Sequence, residues 1–217
     1  MSTPSWPLFD LRLRTPRLEL RPLREADALA LLALSDLGVH DPATMPFETA
    51  WTDLPMPERH HQGFAFFSRA IAEFSPDGWA VHFGTWLDGE LVGTQGILAS
   101  GFLERRTVES GSWLGIAHQG KGYGKEQRAA VLHLAFAEMG ATAAETAAFW
   151  DNDASNGVTR ALGYEEVGEV LVDRRGTPDR QIRYRLTAER WASRQSSADS
   201  AAITVEGFEP CRTMFGL

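Results

Sequence analysis

Cysteine is nearly absent from the chain: one residue, Cys211, stands among 217. A disulfide within the chain is therefore excluded, and so is a zinc or iron–sulfur site built on several cysteines. Long apolar runs are also missing, because residues 28–34 and 129–137 fall well short of the ~20 needed to cross a bilayer. No cationic segment leads into an apolar one at the N-terminus, which argues against a signal peptide. These absences predict a cytoplasmic protein without a membrane segment.

Positive charge is scarce as well. Lys and Arg number 21 against 29 Asp and Glu, a net charge of −8. Such a chain repels phosphate backbones, which argues against a general nucleic-acid-coating role. His60, His61 and His118 have no acidic or second histidine partner at metal-ligand spacing, so we predict no metal site. Apolar residues at 43% and charged residues at 23% indicate an ordinary globular protein.

The hydrophobic periodicity predicts an α+β fold. In chain order it gives a strand at 15–23, helices at 25–37 and 59–74, strands at 79–87, 90–99 and 107–114, a helix at 123–139, a strand at 142–150, a helix at 154–162, and strands at 165–172 and 181–186. Asp88-Gly89 is typical of a two-residue hairpin turn. We expect a mixed, mostly antiparallel sheet of about six to seven strands flanked by helices, with one parallel pair where the helix at 123–139 crosses over.

One domain is expected over residues 1–192, followed by a linker and tail at 193–217. The chain is rich in Ser, Ala and Gln from 193 to 202. Residues 203–217 are too apolar for a disordered end, so we expect them to dock on the domain or on a second subunit. Cys211 lies in this tail without a His–Asp arrangement around it, which argues against a nucleophilic role.

A glycine-rich loop stands between a predicted strand and a predicted helix: Gln119-Gly120-Lys121-Gly122-Tyr123-Gly124-Lys125. Alternate glycines let backbone N–H groups approach a ligand, and the start of a helix adds unpaired N–H groups with the positive end of its dipole. The loop therefore predicts a pyrophosphate site. A P-loop is excluded because Gly122 stands where Ser or Thr would hold magnesium, and a dinucleotide fingerprint fails because Lys125 stands where its third glycine belongs.

What fits is the Gln/Arg-x-x-Gly-x-Gly/Ala signature of the GNAT N-acetyltransferase superfamily, here Gln119-x-x-Gly122-x-Gly124. Over roughly residues 12 to 191 the chain resembles the RimJ/RimL branch. The likeness rests on Thr15-Pro16-Arg17-Leu18, on Glu109-x-Gly111-x-Trp113-Leu114, on Asn152-x-x-Ser155 and on Leu162-Gly163-Tyr164. Two positions depart from the branch: Gly115-Ile116 replaces its usual Asp-Pro, and Ser112 replaces its usual Tyr.

The resemblance implies a GNAT fold with a splayed cleft for acetyl-CoA as co-substrate. It implies that the amides of Gly120, Lys121, Gly122, Tyr123, Gly124 and Lys125 hold the pyrophosphate, together with Gln119. Main-chain groups near Trp113 and Leu114 would hold the thioester, and Asn152 would contact the cofactor or fix its turn. Aromatic residues between 51 and 86 are expected mainly in the core, and the acceptor side is expected in the loop at 40–57 and the helix after it.

The chemistry requires a base and an acid. A primary amine is almost wholly protonated at neutral pH, so a carboxylate or a carboxylate–water relay assists its deprotonation. The resemblance implies Glu109 for this step, and Ser155 for protonation of the leaving thiolate. A structural role is the alternative for each: Glu109 as a solvated or ion-paired strand residue, Ser155 as a helix N-cap.

The expected function is transfer of an acetyl group from acetyl-CoA to a primary amine, by direct attack in a ternary complex. The acceptor is a protein N-terminus or a small-molecule amine, and a homodimer is left open. Two alternatives remain: a non-catalytic acyl-CoA sensor, and a GNAT acyltransferase that takes its acyl group from another donor such as an aminoacyl-tRNA. The net charge of −8 argues against tRNA.

Overall fold

The computed structural model describes residues 6–194 and 202–217. Six helices lie in these segments: α1 (Glu25–Asp36), α2 (Glu58–Ala72), α3 (Phe102–Arg105), α4 (Tyr123–His133), α5 (Asp153–Ala161) and α6 (Ala188–Arg194). The helix α4 widens into a π-helical turn over Leu134–Glu138. None of the helices in these segments is long and apolar enough to traverse a membrane.

Nine strands form one sheet: β1 (Arg12–Arg14), β2 (Leu18–Pro22), β3 (Gly78–Leu87), β4 (Glu90–Ser100), β5 (Thr107–Leu114), β6 (Ala143–Phe149), β7 (Glu165–Arg174), β8 (Thr177–Thr187) and β9 (Thr204–Glu206). Their order across the sheet is β7-β8-β6-β5-β4-β3-β2-β1-β9. The predicted α+β class and mixed sheet are confirmed. The strand count is higher than the predicted six to seven, because the short strands β1 and β9 extend one edge.

The local signals explain much of this order. Asp88 and Gly89 both have positive φ, 51° and 86°, as the predicted hairpin turn between β3 and β4 requires. Gly140 ends the α4 segment with φ +68°, a left-handed conformation that glycine adopts without strain. The short helices α3 and α6 were not predicted, because four- and seven-residue helices carry too little periodicity to stand out.

The centre of the sheet splits between β5 and β6. These two strands pair in parallel, in register only from Thr107 with Ala143 to Glu109 with Glu145. Beyond that point β5 stays paired with β4, and β6 stays paired with β8. The two strands therefore part and open a V-shaped gap at the C-terminal end of β5, next to the start of α4.

The C-terminal segment packs on the same chain. Strand β9 pairs antiparallel with β1, and Phe208, Cys211 and Phe215 are buried in the main core. The ring of Phe215 lies 5.0 Å from that of Trp79 and 5.2 Å from that of Phe74. Burial raises the pKa of the Cys211 thiol to about 11, which leaves it protonated and unreactive. Most of the predicted linker at 193–202 lies outside the described residues.

Candidate active site

The glycine loop follows a short turn at Ile116–His118 and leads directly into α4. Gly120 and Gly122 have φ of +73° and +85°, so the backbone needs glycine at both positions. No described residue accepts a hydrogen bond from the backbone N–H groups of residues 120–125. Nothing lies within 4 Å of a β-carbon built at Gly120, so the loop is open above this residue. Free, convergent N–H groups at a helix start form a site for an anion.

Two side chains hold the loop in place. Arg17 donates to the carbonyl oxygen of Lys121 at 3.1 Å and to Glu126 of α4 at 2.7 Å, which ties the loop to the start of β2. The amide nitrogen of Gln119 donates to the carbonyl oxygens of Leu114 at 2.8 Å and of Val39 at 2.6 Å. Gln119 thus fixes the turn between β5 and α4, and its hydrogen bond engages the carbonyl oxygen of Leu114.

A cleft of about 1480 Å³ opens beside the loop and follows the gap between β5 and β6. It is lined by ten of the twelve predicted site residues: Glu109, Trp113, Leu114, Gln119, Gly120, Gly122, Gly124, Lys125, Asn152 and Ser155. The other two lie beside it. Lys121 is exposed. The Cζ of Arg17 lies over the ring of Tyr123, 4.6 Å from the ring centroid.

Glu109 lies on β5 at the point where the gap begins, with its side chain exposed to the cleft. Its register partners are Leu98 on β4 and Glu145 on β6. Glu145 forms an ion pair with Arg185, whereas no cation of the described chain lies within ion-pair distance of Glu109. A free carboxylate at this position is available to accept a proton.

Ser155 and Asn152 lie at the start of α5, on the other wall of the cleft. Asn152 is the N-cap of this helix, because its Oδ1 accepts from the backbone N–H of Ser155 at 3.1 Å. Ser155 therefore does not cap the helix with its own side chain. Its hydroxyl bonds to no other described residue and remains free to donate within the cleft.

Comparison with known proteins decides the family. Residues 17–165 match the family model described as the acetyltransferase (GNAT) domain. The chain belongs to the GNAT acetyltransferase family. Acetyl-CoA is accordingly the co-substrate of this acetyltransferase, as the sequence predicted.

Solved structures with the same fold include two described with coenzyme A. Mycobacterium smegmatis RimJ, in complex with a CoA disulfide, is 23% identical with a TM-score of 0.71, over 91% of this chain and 97% of that one. RimL, a ribosomal alpha-N-protein acetyltransferase in complex with coenzyme A, is 18% identical with a TM-score of 0.67, over 80% and 95%. A GNAT acetyltransferase from Bacillus anthracis is 20% identical with a TM-score of 0.62, over 82% and 99%. The predicted RimJ/RimL-like fold is confirmed.

Part of the cleft is walled by aromatic rings. Trp51 lies 5.2 Å from Phe47 and 5.8 Å from Trp113, and all three line the cleft. Phe66 and Phe67 also line the cleft, and they lie 4.8 and 5.3 Å from the ring of His82. Burial lowers the pKa of His82 to about 4, so this imidazole is neutral at physiological pH.

A pair of arginines, Arg174 at the end of β7 and Arg175 in the turn after it, fastens the loop at 40–57. Arg174 donates to the carbonyl oxygen of Met45 at 2.8 Å and to Asp151 and Asp179. Arg175 forms a bidentate pair with Asp53, at 2.7 and 2.8 Å. The loop at 40–57 is therefore held against the far end of the sheet, across the opening of the gap.

Sequence reasoning missed three arginines of this site: Arg17, Arg128 and Arg174. The contacts of Arg17 and Arg174 join distant parts of the chain, and no local pattern signals them. The burial of Arg128 could have been predicted from the sequence, because it lies on the same helical stripe as Val131, Leu132 and Ala135 and is buried with them. No group of three His, Cys, Asp or Glu side chains suited to a metal ion occurs within residues 6–194 and 202–217.

Proposed function

We propose that this acetyltransferase transfers the acetyl group of acetyl-CoA to a primary amine, by direct attack within a ternary complex. The observation that carries the proposal is the set of free N–H groups at residues 120–125, which opens into the same cleft as the unpaired carboxylate of Glu109. A diphosphate site and a proton acceptor in one cleft are what an acetyl transfer to an amine requires.

The loop residues bind the pyrophosphate of the co-substrate. Backbone N–H groups of residues 120–125 and the start of α4 supply donors and a positive dipole, and Lys125 at the cleft edge adds a charge. The main chain of β5 between Ser110 and Leu114 has no strand partner on its β6 side, so it lies along the gap and orients the thioester arm. The co-substrate supplies an activated acyl group, and the chain supplies its orientation and the proton transfers.

Glu109 acts as the general base. Its carboxylate faces the cleft at the point where β5 and β6 part, and no cation of the described chain lies within ion-pair distance of it. It removes a proton from the ammonium form of the acceptor, directly or through a water, so that the neutral amine attacks the carbonyl carbon. Ser155, whose hydroxyl is free on the facing wall, donates a proton to the thiolate that leaves.

A protein N-terminus is the favoured acceptor. RimL is named as an alpha-N-protein acetyltransferase, and its structure covers 80% of this chain. The aromatic wall formed by Phe47, Trp51 and Trp113 suits the side chain of a terminal residue, and the loop fastened by Arg174 and Arg175 narrows the approach. A small-molecule amine is the alternative acceptor, and the assay below distinguishes it from a peptide.

The test is a free-thiol assay with acetyl-CoA and a panel of peptides, polyamines, aminoglycosides and amino acids, with mass spectrometry of the products. The Glu109→Gln variant should lose at least about 10²-fold in kcat and retain its affinity for coenzyme A. Glu145→Gln is the matched control, because this neighbouring carboxylate is already paired with Arg185. A wild-type protein that binds coenzyme A but releases no thiol with any acceptor would support the sensor function instead.

A further inference from the structure

Arg128 is an arginine buried at the base of the cleft. Its side chain lies on α4 with 3% of its surface exposed, and it lines the gap between β5 and β6. Its Nη1 donates to the hydroxyl of Thr159 at 2.8 Å, and its Nη2 lies 3.5 Å from the hydroxyl of Ser112. The Nε is buried and has no partner. Within the described residues, no carboxylate lies in ion-pair distance of this guanidinium.

Two further polar groups are buried near Arg128. The hydroxyls of Ser110 and Tyr164 lie next to each other, and neither has a partner beyond this pair within the described residues. We call Ser110, Ser112, Arg128 and Tyr164 the buried polar cluster. Burial lowers the pKa of Arg128 and raises that of Tyr164, yet an arginine keeps its charge in proteins. An isolated buried cation is strongly unfavourable, so the cluster is arranged for an anion that enters the cleft.

The cluster lies on the α4 side of the reacting centre. Successive strand residues face opposite sides of a sheet, so Glu109 faces the acceptor half, whereas Ser110 and Ser112 face α4. The loop that holds the pyrophosphate precedes Arg128 on the same helix, and the thioester arm follows β5 from that loop toward Glu109. The part of the acyl group that lies beyond the carbonyl and faces α4 therefore meets the cluster.

We propose that the buried polar cluster binds the terminal carboxylate of a short dicarboxylic acyl group, so that the enzyme also transfers malonyl- or succinyl-type groups from their CoA thioesters. This inference rests on the proposed function of the cleft. The guanidinium of Arg128 and the hydroxyls of Ser110 and Ser112 line the cleft and can donate to the two oxygens of a carboxylate. A methyl group at the same place leaves the guanidinium without an anionic partner.

The transfer itself is unchanged by the larger acyl group. The amine nitrogen attacks the thioester carbonyl, the new C–N bond forms and the C–S bond breaks. The amine proton passes to Glu109, and the thiolate takes up a proton to leave as free coenzyme A. The distal carboxylate takes no part in bond making and remains ionised against Arg128. The product is an amide with a free acid at its end, and the net charge of the acceptor becomes more negative.

The test compares two inert, length-matched analogues, S-(2-carboxyethyl)-CoA and S-propyl-CoA, by isothermal titration calorimetry. We expect the wild-type protein to bind the carboxyethyl analogue at least about tenfold more tightly. Arg128→Met should reduce this ratio to one or below, and Arg128→Lys should retain a preference for the carboxylate. Gln127→Met is the matched control: Gln127 is the adjacent buried polar residue on α4, and its replacement should leave the ratio unchanged. The rate of thiol release by the wild-type protein should likewise be higher with succinyl-CoA than with butyryl-CoA.

Equal binding of the two analogues by the wild-type protein would overturn the inference and leave the coenzyme A site intact. Equal weakening of both by Arg128→Met would also overturn it, since that result assigns Arg128 a structural role alone. Absence of binding by both analogues and by coenzyme A itself would overturn the proposed function, and this inference with it.

Discussion

Replacing Gly122 with alanine is expected to damage coenzyme A binding far more than it damages the fold. Gly122 has φ +85°, a conformation that costs a residue with a β-carbon about 1–2 kcal/mol. The added carbon also comes within 3.3 Å of Arg17 Nη2, which belongs to the same guanidinium whose Nη1 holds the loop through the Lys121 carbonyl. The variant relieves both strains by shifting the loop, which turns its N–H groups away from the pyrophosphate.

The size of the effect follows from the bonds lost. A hydrogen bond to a charged group is worth about 1.5–3 kcal/mol, so loss of two such bonds raises the Kd for coenzyme A by about 10²-fold or more. Calorimetry with coenzyme A measures this change. Inhibition by pantetheine, which has no pyrophosphate, should be nearly unaffected in the same variant.

Gly140→Ala provides the matched control. Gly140 has φ +68° and open space around its α-carbon, but it lies at the far end of the α4 segment. Its replacement should cost a similar amount of stability by urea unfolding and leave the affinity for coenzyme A unchanged. If Gly122→Ala binds coenzyme A as well as Gly140→Ala does, the loop does not hold the pyrophosphate and the assignment is wrong.

Two further predictions concern Ser155 and His82. Ser155→Ala should lower kcat by about 10²-fold and leave the KM for acetyl-CoA unchanged, because the hydroxyl protonates the leaving thiolate and does not cap α5. An unchanged kcat in steady-state kinetics would contradict this role. The pKa of His82 is about 4 in the folded protein against an ordinary 6.5, so the unfolded chain binds more protons between these values. Stability should therefore fall by up to about 3 kcal/mol as the pH drops from 6.5 to 4. In urea unfolding, the stability of the His82→Gln variant should fall less over this pH range. An equal fall in stability for both proteins would show that a group other than His82 titrates.

The parts of the site that could be predicted are those encoded in local sequence. The alternate glycines of the loop at 119–125 follow a strand and open a helix, and the structure gives Gly120 and Gly122 the positive φ that this turn demands. The strand with Glu109 and the helix start with Asn152 also carry short motifs. Each of these segments reaches the cleft because strand ends and helix starts meet at one edge of the gap.

The parts that could not be predicted depend on distant contacts. The hydrogen bond from Arg17 to Lys121 and the contacts of Arg174 and Arg175 with the loop at 40–57 join elements far apart in the chain. The surroundings of Arg128, with hydroxyl groups but no carboxylate of the described residues beside it, are visible only once the fold is known. The sequence near Ser155 contains several good helix caps, so it does not distinguish among them, whereas the structure shows that Asn152 caps α5.

Strand β9 has a consequence for how the sheet meets other molecules. An unpaired strand edge is a template on which a second chain can add, and long, flat edges are the most exposed to such addition. Here the edge is a strand of three residues, and its Glu206 is paired with Arg14 of β1. Because this edge strand is short and charged, it offers few main-chain groups to an incoming strand, and β9 thereby disfavours the addition of a second chain at this edge.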